Sequence, residues 1–561
     1  MLKSPCVISV ACAVWLLALF TALPRAAQTA ETAEGGVKPD PKQVHKNLSL
    51  FTTSDNCVAC HNVLVSPEGE DVSIGASWRS TMMANSARDP YWQAGVRRET
   101  LDHPMHSAAI QDECAECHMP MSTQISRASG GKGEVFAHLP FNKTNGSELQ
   151  KFAADGISCT VCHQISNERL GTRESFNGEF VMKPTPADGV RVIFGPYQID
   201  AGRKTIMRSV TGFVQAQGAH IQQSELCATC HTLYTQAFSP TGQVIGSLPE
   251  QMNFQEWQHS DYSKNESAQS CQSCHMPEVK GTTRIASVLG DFREGLNRHL
   301  FVGGNAFIIR MLNRYRADLG VVATSSELEA TAKATVRQLQ EDTATLSIAR
   351  AELAGTTLNV DVNVGNLTGH KFPTGYPARR TWLHFTVRDG DGRTVFESGA
   401  VNDTGLISGN DNDADATKYE PHYDRITSAD QVQIYEPVMG DPSDVPTTGL
   451  LTATHYLKDN RLLPRGFDKA TADRDIGVYG AAIQDSDFLG GGDVVHYAVP
   501  VPSRGGPFVI SVELLYQPIG YRWAHNLEKY DAPEPKRFVN YFNAMSSSSW
   551  VVVAKATTTQ R

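Results

Sequence analysis

Ten of the twelve cysteines lie in one repeated short pattern, and their spacing carries the clearest chemistry of this sequence. Each belongs to a Cys-x-x-Cys-His unit, and the five units are Cys57-Val-Ala-Cys60-His61, Cys114-Ala-Glu-Cys117-His118, Cys159-Thr-Val-Cys162-His163, Cys227-Ala-Thr-Cys230-His231 and Cys271-Gln-Ser-Cys274-His275. Two thiols at this spacing form thioethers with the two vinyl groups of one haem, and the adjacent imidazole reaches the iron. Zinc knuckles do not need a histidine after every cysteine pair, and disulfides follow no such rule. The sequence therefore predicts five covalently attached c-type haems.

The histidines of the five units are the predicted proximal iron ligands, namely His61, His118, His163, His231 and His275. All five units lie within residues 57–275. Because so short a segment cannot enclose each haem in its own globule, the haems are expected to share walls and to lie close together. Closely spaced haems conduct single electrons, while the protein sets their potentials.

The second axial ligands are expected among the remaining histidines. His220 lies shortly before Cys227, on the approach to the fourth unit, and is predicted to point at a neighbouring haem. His299 follows the last unit, and the Gly303-Gly304 pair after it permits a close backbone approach to a flat macrocycle. Both are predicted iron ligands.

Two further regions contribute candidate ligands. His103 and His106 precede the second unit, and His106 is favoured because it is nearer and is not followed by proline. His370 lies in a loop between two predicted strands, from which it could reach back to a haem. His138 is held in reserve.

Met82 and Met83 raise a different possibility for one haem. A thioether ligand, of which Met83 is the main candidate, would give a His/Met haem of raised potential. The alternative is that both methionines fill irregular gaps in a core. The sequence leaves the two interpretations open.

The net charge of the chain argues against one class of binding partner. The chain has 50 Lys and Arg against 60 Asp and Glu, a formal net charge of −10. This acidic balance provides no basic excess to neutralise phosphates, so nucleic-acid binding is disfavoured. We expect a redox protein as the partner, and the sequence leaves open whether it donates or accepts electrons.

The N-terminus indicates export. Residues 1–30 combine Lys3, an apolar stretch from Val7 to Leu23 and small residues around Ala30, as secretory signals do. An uncleaved anchor is the alternative. No later segment reaches 18 continuous apolar residues, so no membrane span is expected after cleavage. The predicted location is the periplasm, or else the cell exterior.

The second half of the chain has no cysteine and is predicted to be rich in strands. A helix is predicted over Ser325–Gln340, with Ser326 and Glu329 as a capping box. Strands are predicted over Leu358–Val364, Thr381–Val387, Thr394–Ser398, Val494–Val501, Phe508–Tyr516 and Trp550–Ala554. The predicted fold class is multidomain α + β: a mostly helical pentahaem domain (45–320), a linking helix (325–342) and a β-sandwich-like domain (343–557).

An acidic segment in the second half gives a weak calcium signal. Asp411, Asp413 and Asp415 stand at alternate positions, as at the start of a calcium loop. Positions six and twelve of that loop are Ala416 and His422 instead of glycine and glutamate. A solvated acidic loop is therefore favoured over Ca²⁺ binding.

The segments Ser54–His61 and Trp78–Tyr91, with the repeated Cys-His-Met-Pro, resemble the cytochrome c-554 family of the hydroxylamine oxidoreductase-like group. The resemblance implies a mostly helical domain with haems in stacked pairs, mostly with two histidine ligands and sometimes with one five-coordinate haem. In related multihaem proteins a Trp-x-x-Ser-x-His-Ala pattern supplies a distal histidine. Met83 stands in that slot here, which favours methionine ligation or an altered site.

Two departures limit the transfer of activity from that group. Its nitrite reductases carry a Cys-x-x-Cys-Lys haem site, which this sequence lacks, and its hydroxylamine oxidoreductases carry eight haems. The favoured function is electron transfer through closely packed haems. The alternative is a multihaem oxidoreductase acting on a small nitrogen or sulfur compound at a haem with an open axial position.

Overall fold

The described part of the computed structural model comprises residues 40–142, 146–264, 268–503 and 506–561. The predicted signal peptide, with Cys6 and Cys12, lies outside these residues. Both helices and sheets are present, as the sequence predicts. No helix within the described ranges is long and apolar enough to cross a membrane.

Short helices dominate the first half of the chain. They are α1 (Pro41–Asn47), α2 (Asp55–Val58), α3 (Ile74–Arg79), α4 (Pro90–Asp102), α5 (Ser107–His118), α6 (Pro120–Ala128), α7 (Glu148–Ala154), α8 (Cys159–Cys162), α9 (Ala201–Thr211), α10 (Ser224–His231), α11 (Asn253–Gln258), α12 (Cys271–His275), α13 (Ala306–Arg314), α14 (Arg316–Leu319) and α15 (Ser325–Glu341). Helix α4 shows why they start where they do: Asp89 caps the backbone of Tyr91 and Trp92, and Pro90 occupies the first helical turn.

Small sheets connect these helices. A parallel pair joins β1 (Arg191–Gly195) to β2 (Phe213–Gln217), and a hairpin joins β3 (Thr232–Phe238) to β4 (Val244–Met252). The two-residue strands β5 (Thr283–Arg284) and β6 (Phe292–Arg293) also pair. The hairpin of β3 and β4 directly continues helix α10, which carries the fourth Cys-x-x-Cys-His unit.

The predicted helix after residue 324 is confirmed as α15, but its capping box lies two residues earlier than expected. The Thr324 hydroxyl accepts the backbone N–H of Glu327, and the Glu327 carboxylate accepts the backbone N–H of Thr324. The predicted capping box of Ser326 and Glu329 was wrong. Thr324 caps the helix, which begins at Ser325, so Ser326 already lies inside it.

Two sheets and several short strands form the second half. One sheet contains β9 (Arg380–Arg388), β10 (Thr394–Ser398), β12 (Ile434–Tyr435), β17 (Phe508–Gln517) and β18 (Val551–Gln560), and the other contains β7 (Ala344–Ala354), β8 (Thr357–Asn366), β11 (Arg425–Ile426) and β16 (Gly492–Pro500). A third, smaller sheet holds β13 (Pro437–Gly440), β14 (Pro446–Thr447) and β15 (His455–Asp459). The helices here are α16 (Asp411–Ala414), α17 (Tyr521–His525) and α18 (Pro533–Asn543).

The two larger sheets share one hydrophobic core. Val360 and Val362 of β8, Phe385 of β9 and Val512 of β17 are fully buried in it. The residues on either side of each of them are less buried, because successive side chains of a strand point to opposite faces. The alternation read from Leu358–Val364 therefore marks the face that packs inward.

Helices of both halves also share a core. Ala94 of α4 packs in one cluster with Phe307 of α13, Leu328 of α15 and Phe538 of α18. At the edge of this cluster, the Arg97 guanidinium pairs with the Glu534 carboxylate at 2.8 Å. Burial of these apolar faces joins the end of the chain to the haem-unit region, that is, the region that carries the Cys-x-x-Cys-His units (57–275).

Candidate haem-binding site

Each Cys-x-x-Cys-His unit lies on or at the end of a short helix. Helix α5 ends on His118, α10 on His231 and α12 on His275, while α8 spans Cys159–Cys162. Residues three and four apart lie on the same side of a helix. The local fold therefore brings both thiols and the imidazole of one unit to one face, as attachment to a single haem requires.

Four of the five proximal histidines make the same contact with the backbone. The Nδ1 atoms of His61, His118, His163 and His275 lie 2.6, 3.2, 2.5 and 2.5 Å from the carbonyl oxygens of Ile285, Ser86, Phe194 and Val302. A carbonyl oxygen can only accept, so Nδ1 carries the proton and Nε2 keeps its lone pair. This is the tautomer and orientation that an iron-binding imidazole needs.

Two further histidines face proximal imidazoles across a gap. The ring centroids of His163 and His299 are 6.5 Å apart with planes inclined by 18°, and those of His275 and His370 are 6.1 Å apart at 14°. A metal with an imidazole nitrogen about 2 Å away on each side separates two ring centroids by roughly 6 Å. Both pairs therefore have the spacing that one iron between two histidines requires.

Burial keeps these ligand candidates neutral. It lowers the pKa of His118, His231, His299 and His370 to about 4. Neutral imidazole is the form that binds a metal, because the protonated ring has no free lone pair. The residues present thus fit c-type haem in both tautomer and protonation state.

Thiols of different units approach one another. Cys57 is a hydrogen-bond neighbour of Cys159, Cys117 of Cys230, and Cys227 of Cys271. Cys162 interacts electrostatically with Cys230. The hydrogen-bond neighbours link the first unit to the third and the fourth unit to both the second and the fifth, while the third and fourth units interact only electrostatically.

His220 and His106 are placed differently from His299 and His370. The Nε2 atom of His220 lies 2.9 Å from the carbonyl oxygen of Ile165, and that of His106 lies 2.8 Å from the carbonyl of Gly242. The His106 ring also stacks on Phe238 at 4.0 Å. In both residues the backbone contact occupies Nε2 and leaves Nδ1 as the remaining nitrogen.

His103 and His138, the other histidines considered, are both buried. His103 has its Nε2 atom 3.4 Å from the Thr452 hydroxyl. His138 ends a short 3-10 helix, Phe136–His138, and burial lowers its pKa to about 4. It therefore has the neutral form that a ligand needs.

The segment around Met83 lies close to the second and third Cys-x-x-Cys-His units. Met82 packs against the core shared by α13, α15 and α18. The Met83 carbonyl accepts the backbone N–H of Ile157 at 3.0 Å, just before the third unit, and Ser86 contacts His118 of the second unit. Met82 is thus a packing residue, whereas Met83 is held at the approach to two haem sites.

A buried ionic network supports the His370 loop, and sequence reasoning did not detect it. The Glu256 carboxylate accepts the Lys371 backbone N–H at 3.1 Å and the Thr374 hydroxyl at 2.6 Å, and it pairs with Arg461 at 3.0 Å. The Lys371 ammonium pairs with Asp459 at 2.7 Å. Charged residues in a loop are ordinarily solvated, so no local signal indicated that these are buried.

One of the three aspartates of the acidic segment is buried in an ion pair, whereas Asp411 is exposed as expected. Asp413 is buried, and its two carboxylate oxygens accept hydrogen bonds from Arg380 at 2.7 and 2.8 Å. Asp415 accepts the hydroxyl and backbone N–H of Thr417. The expectation of a solvated loop was therefore wrong for Asp413, whose charge is matched by a guanidinium inside the protein.

This chain is similar to a solved structure. No family model matches the chain, and no curated protein matches it. A solved structure of a penta-haem cytochrome c552 from Thermochromatium tepidum is similar, with a TM-score of 0.48 and 15% sequence identity. The similarity covers 91% of this chain and 99% of that one.

Proposed function

We propose that the protein is an exported pentahaem c-type cytochrome that transfers electrons through closely packed, covalently attached haems. The observation that carries the proposal is the pair of facing imidazoles at His163/His299 and His275/His370, each with one member in a Cys-x-x-Cys-His unit. Iron held by two histidines has both axial positions filled, which suits electron transfer more than catalysis.

In this proposal the ten cysteines attach five haems, and His61, His118, His163, His231 and His275 are the proximal ligands. His299 is the distal ligand of the third haem and His370 that of the fifth. Haem supplies the one-electron chemistry. The chain's own residues orient the imidazoles through Nδ1 hydrogen bonds, exclude water from the rings and hold the haems at short separations.

The contacts between units support a branched electron path. The attachment cysteines of the first and third units are neighbours, as are those of the second and fourth and of the fourth and fifth, and Cys162 of the third unit interacts electrostatically with Cys230 of the fourth. The edges of the attached haems would therefore lie close together. The fourth haem would then connect three others. Electrons entering at the first or the fifth haem would pass through it.

We propose three parts for the chain after the signal peptide. A haem domain over 45–320, a linking helix over 325–342 and a β-sandwich-like domain over 343–557 would act together in the periplasm. The β-rich region supplies His370, so it completes one haem site. A redox protein would deliver or accept the electrons.

A multihaem oxidoreductase is the second candidate. Met83 is held near two haem units, and within the described chain no second imidazole faces His61, His118 or His231 as His299 faces His163. If one of these haems has an open axial position, it could act on a small nitrogen or sulfur compound.

Low-temperature EPR of the oxidised holoprotein, together with CO binding to the reduced protein, separates the two functions. The electron-transfer proposal expects all five haems to be low-spin and unreactive toward CO. A high-spin haem that binds CO would contradict that expectation and support the oxidoreductase. A haem-to-protein ratio other than five in the pyridine haemochrome assay would overturn the pentahaem assignment itself.

A further inference from the structure

A polar cluster on the outer face of the four-stranded sheet is separate from every haem unit. His496 of β16 stands directly across from Asp361 of β8 in the antiparallel register. Asp424 immediately precedes β11, which runs beside β16, and Asp487 precedes β16 in the chain. Three neighbouring parts of the fold therefore bring a histidine and carboxylates together.

The two nitrogens of His496 have different surroundings. Its Nδ1 atom lies 2.7 Å from Asp361 Oδ1, and Asp361 is also paired with the Arg350 guanidinium at 2.7 Å. Its Nε2 atom faces Asp487 Oδ2 at 3.2 Å and Asp424 Oδ1 at 3.8 Å. A histidine that donates Nδ1–H to a carboxylate and presents Nε2 to other ligands is the usual arrangement of a metal-binding imidazole.

The ligand atoms of His496, Asp424 and Asp487 all lie within 4.8 Å of one another. One cation could therefore contact all three. The set offers one nitrogen and two carboxylate oxygens, a combination that Zn²⁺ and similar divalent transition metals accept, whereas Ca²⁺ takes oxygen ligands.

Unpartnered carboxylate oxygens beside this cluster indicate missing positive charge. Asp487 Oδ1 is buried without a hydrogen-bond partner, and so is Oδ1 of the buried Asp493, whose other oxygen accepts from Tyr435 at 2.6 Å and Gln433 at 3.2 Å. Asp485 links the two: it accepts the backbone N–H of Asp487 at 3.0 Å and lies within 4.8 Å of Asp493. Unpaired buried acceptors are unfavourable unless a cation or donor is near.

The charge count points the same way. Five carboxylates meet in this region, those of Asp361, Asp424, Asp485, Asp487 and Asp493. The Lys and Arg side chains beside them are Arg350, which pairs with Asp361, and Lys469, which donates to the backbone carbonyl of Asp485. The imidazoles of His496 and His422 also pair with carboxylates of this group. A divalent cation would compensate part of the remaining negative charge.

The neighbouring His422 is not the ligand. Its Nδ1 atom accepts from the side-chain amides of Gln433 at 2.9 Å and Asn460 at 3.0 Å, and backbone N–H groups occupy the amide oxygens. Nε2 must therefore carry the proton, which it donates to Asp485 at 2.9 Å. His422 has no lone pair left for a metal, so the cation belongs at His496.

We propose that His496, Asp487 and Asp424 bind a divalent transition-metal ion of the Zn²⁺ type, with Asp361 orienting the imidazole. Three protein ligands leave one position of a tetrahedral ion for water. The ion would tie the 485–487 turn to strands β11 and β16. The proposal does not rest on the haem function, because none of these residues contacts a haem unit.

The test is zinc binding to the purified holoprotein after treatment with a chelator. Equilibrium dialysis against Zn²⁺, followed by elemental analysis, should give one zinc per chain in addition to the haem iron. His496→Ala should abolish this binding. Asp361→Asn should weaken it roughly tenfold or more while leaving the ligands in place.

The matched control is His384→Ala. His384 also lies on a sheet face between two carboxylates, 2.9 Å from Glu397 and 3.5 Å from Glu513. Retained zinc in this variant supports the His496 site. No zinc bound to the parent protein, or the same zinc bound to His496→Ala and Asp361→Asn, would overturn the proposal. Unchanged iron content in each variant separates this result from any failure of haem attachment.

Discussion

At the scale of single residues, the facing histidines connect distant parts of the chain. His299 meets His163, and His370 meets His275, at separations of 6.5 and 6.1 Å. Each proposed proximal histidine directly follows the second cysteine of its unit, so its position relative to the attachment site follows from the motif. Distal ligands have no such link, and their removal tests the assignment directly.

His299→Ala should convert one haem from low to high spin, because the third haem would lose its sixth ligand. EPR of the oxidised protein would show the new high-spin signal at about one haem per chain, and CO should bind the reduced variant. The control is His525→Ala, a surface histidine paired with Glu528. A low-spin spectrum identical to that of the parent would refute the assignment.

A buried acid gives a residue-scale prediction about pH. Burial raises the pKa of Glu250 to about 8, and Glu113 and Glu99 add to the effect. The folded pKa lies above the unfolded value of about 4.3, so the folded state holds the proton more tightly and stability falls as pH rises from about 4.5 to 8. The unpartnered Oε2 atom of Glu250 agrees with a protonated group.

Glu250→Gln should remove this loss, which is on the order of a few kcal/mol. The difference in unfolding free energy between variant and parent should shift in favour of the variant between pH 5 and pH 8, as measured by denaturant titration. Glu329→Gln, a change at the exposed face of α15, is the control and should show little pH dependence. Parallel pH profiles for Glu250→Gln and the parent would contradict the prediction.

At the scale of elements, the His370 loop depends on helix α11. Glu256 of α11 accepts hydrogen bonds from Lys371 and Thr374 and pairs with Arg461. These contacts fix the backbone that directly follows His370. Glu256 is therefore a positioning residue for His370, the proposed distal ligand of the fifth haem.

Glu256→Gln should weaken the loop, because a neutral amide leaves the charge of Arg461 only partly compensated. We expect a loss of about 3–5 kcal/mol in unfolding free energy and a fraction of high-spin haem that appears below the unfolding transition. Denaturant unfolding and EPR measure the two effects. Glu436→Gln, which affects the Lys458 pair away from the loop, should lower stability without the high-spin signal. Equal high-spin fractions in both variants would argue against positioning.

At the scale of the whole molecule, the haem-unit region and the end of the chain are held together by α4 and α18. Phe538 is fully buried and lies 5.0 Å from the Tyr91 ring, centroid to centroid. A shared core of this kind makes the two regions unfold together.

Phe538→Ala should lower the unfolding free energy by about 3–5 kcal/mol through loss of packing and a cavity. Haem absorbance and far-UV circular dichroism should shift to the same lower midpoint, because both regions depend on this contact. Val539→Ala, a partly buried neighbour on the same helix, should have a smaller effect. Separate midpoints for the two signals would show that the regions unfold independently.

Local spacing was enough to predict the haem attachment sites, the proximal histidines, helix α15 and most strands of the two larger sheets. These features depend on residues three or four apart or on strict alternation, which are local properties. The start of α15 at Ser325 was predicted correctly, but its capping residue was not, because Thr324, Ser325 and Ser326 are all good caps and only the packed helix selects one.

The sequence by itself was enough to predict the chemistry proposed for this protein, since covalent haem attachment needs only two thiols and an imidazole at the right local spacing. Only the tertiary structure decided that His299 faces His163 and His370 faces His275, that thiols of the fourth unit adjoin those of the second and fifth, and that Asp413 pairs with Arg380 instead of facing solvent. The physical reason is that such contacts join residues distant in the chain, and packing of helices and sheets sets their distances.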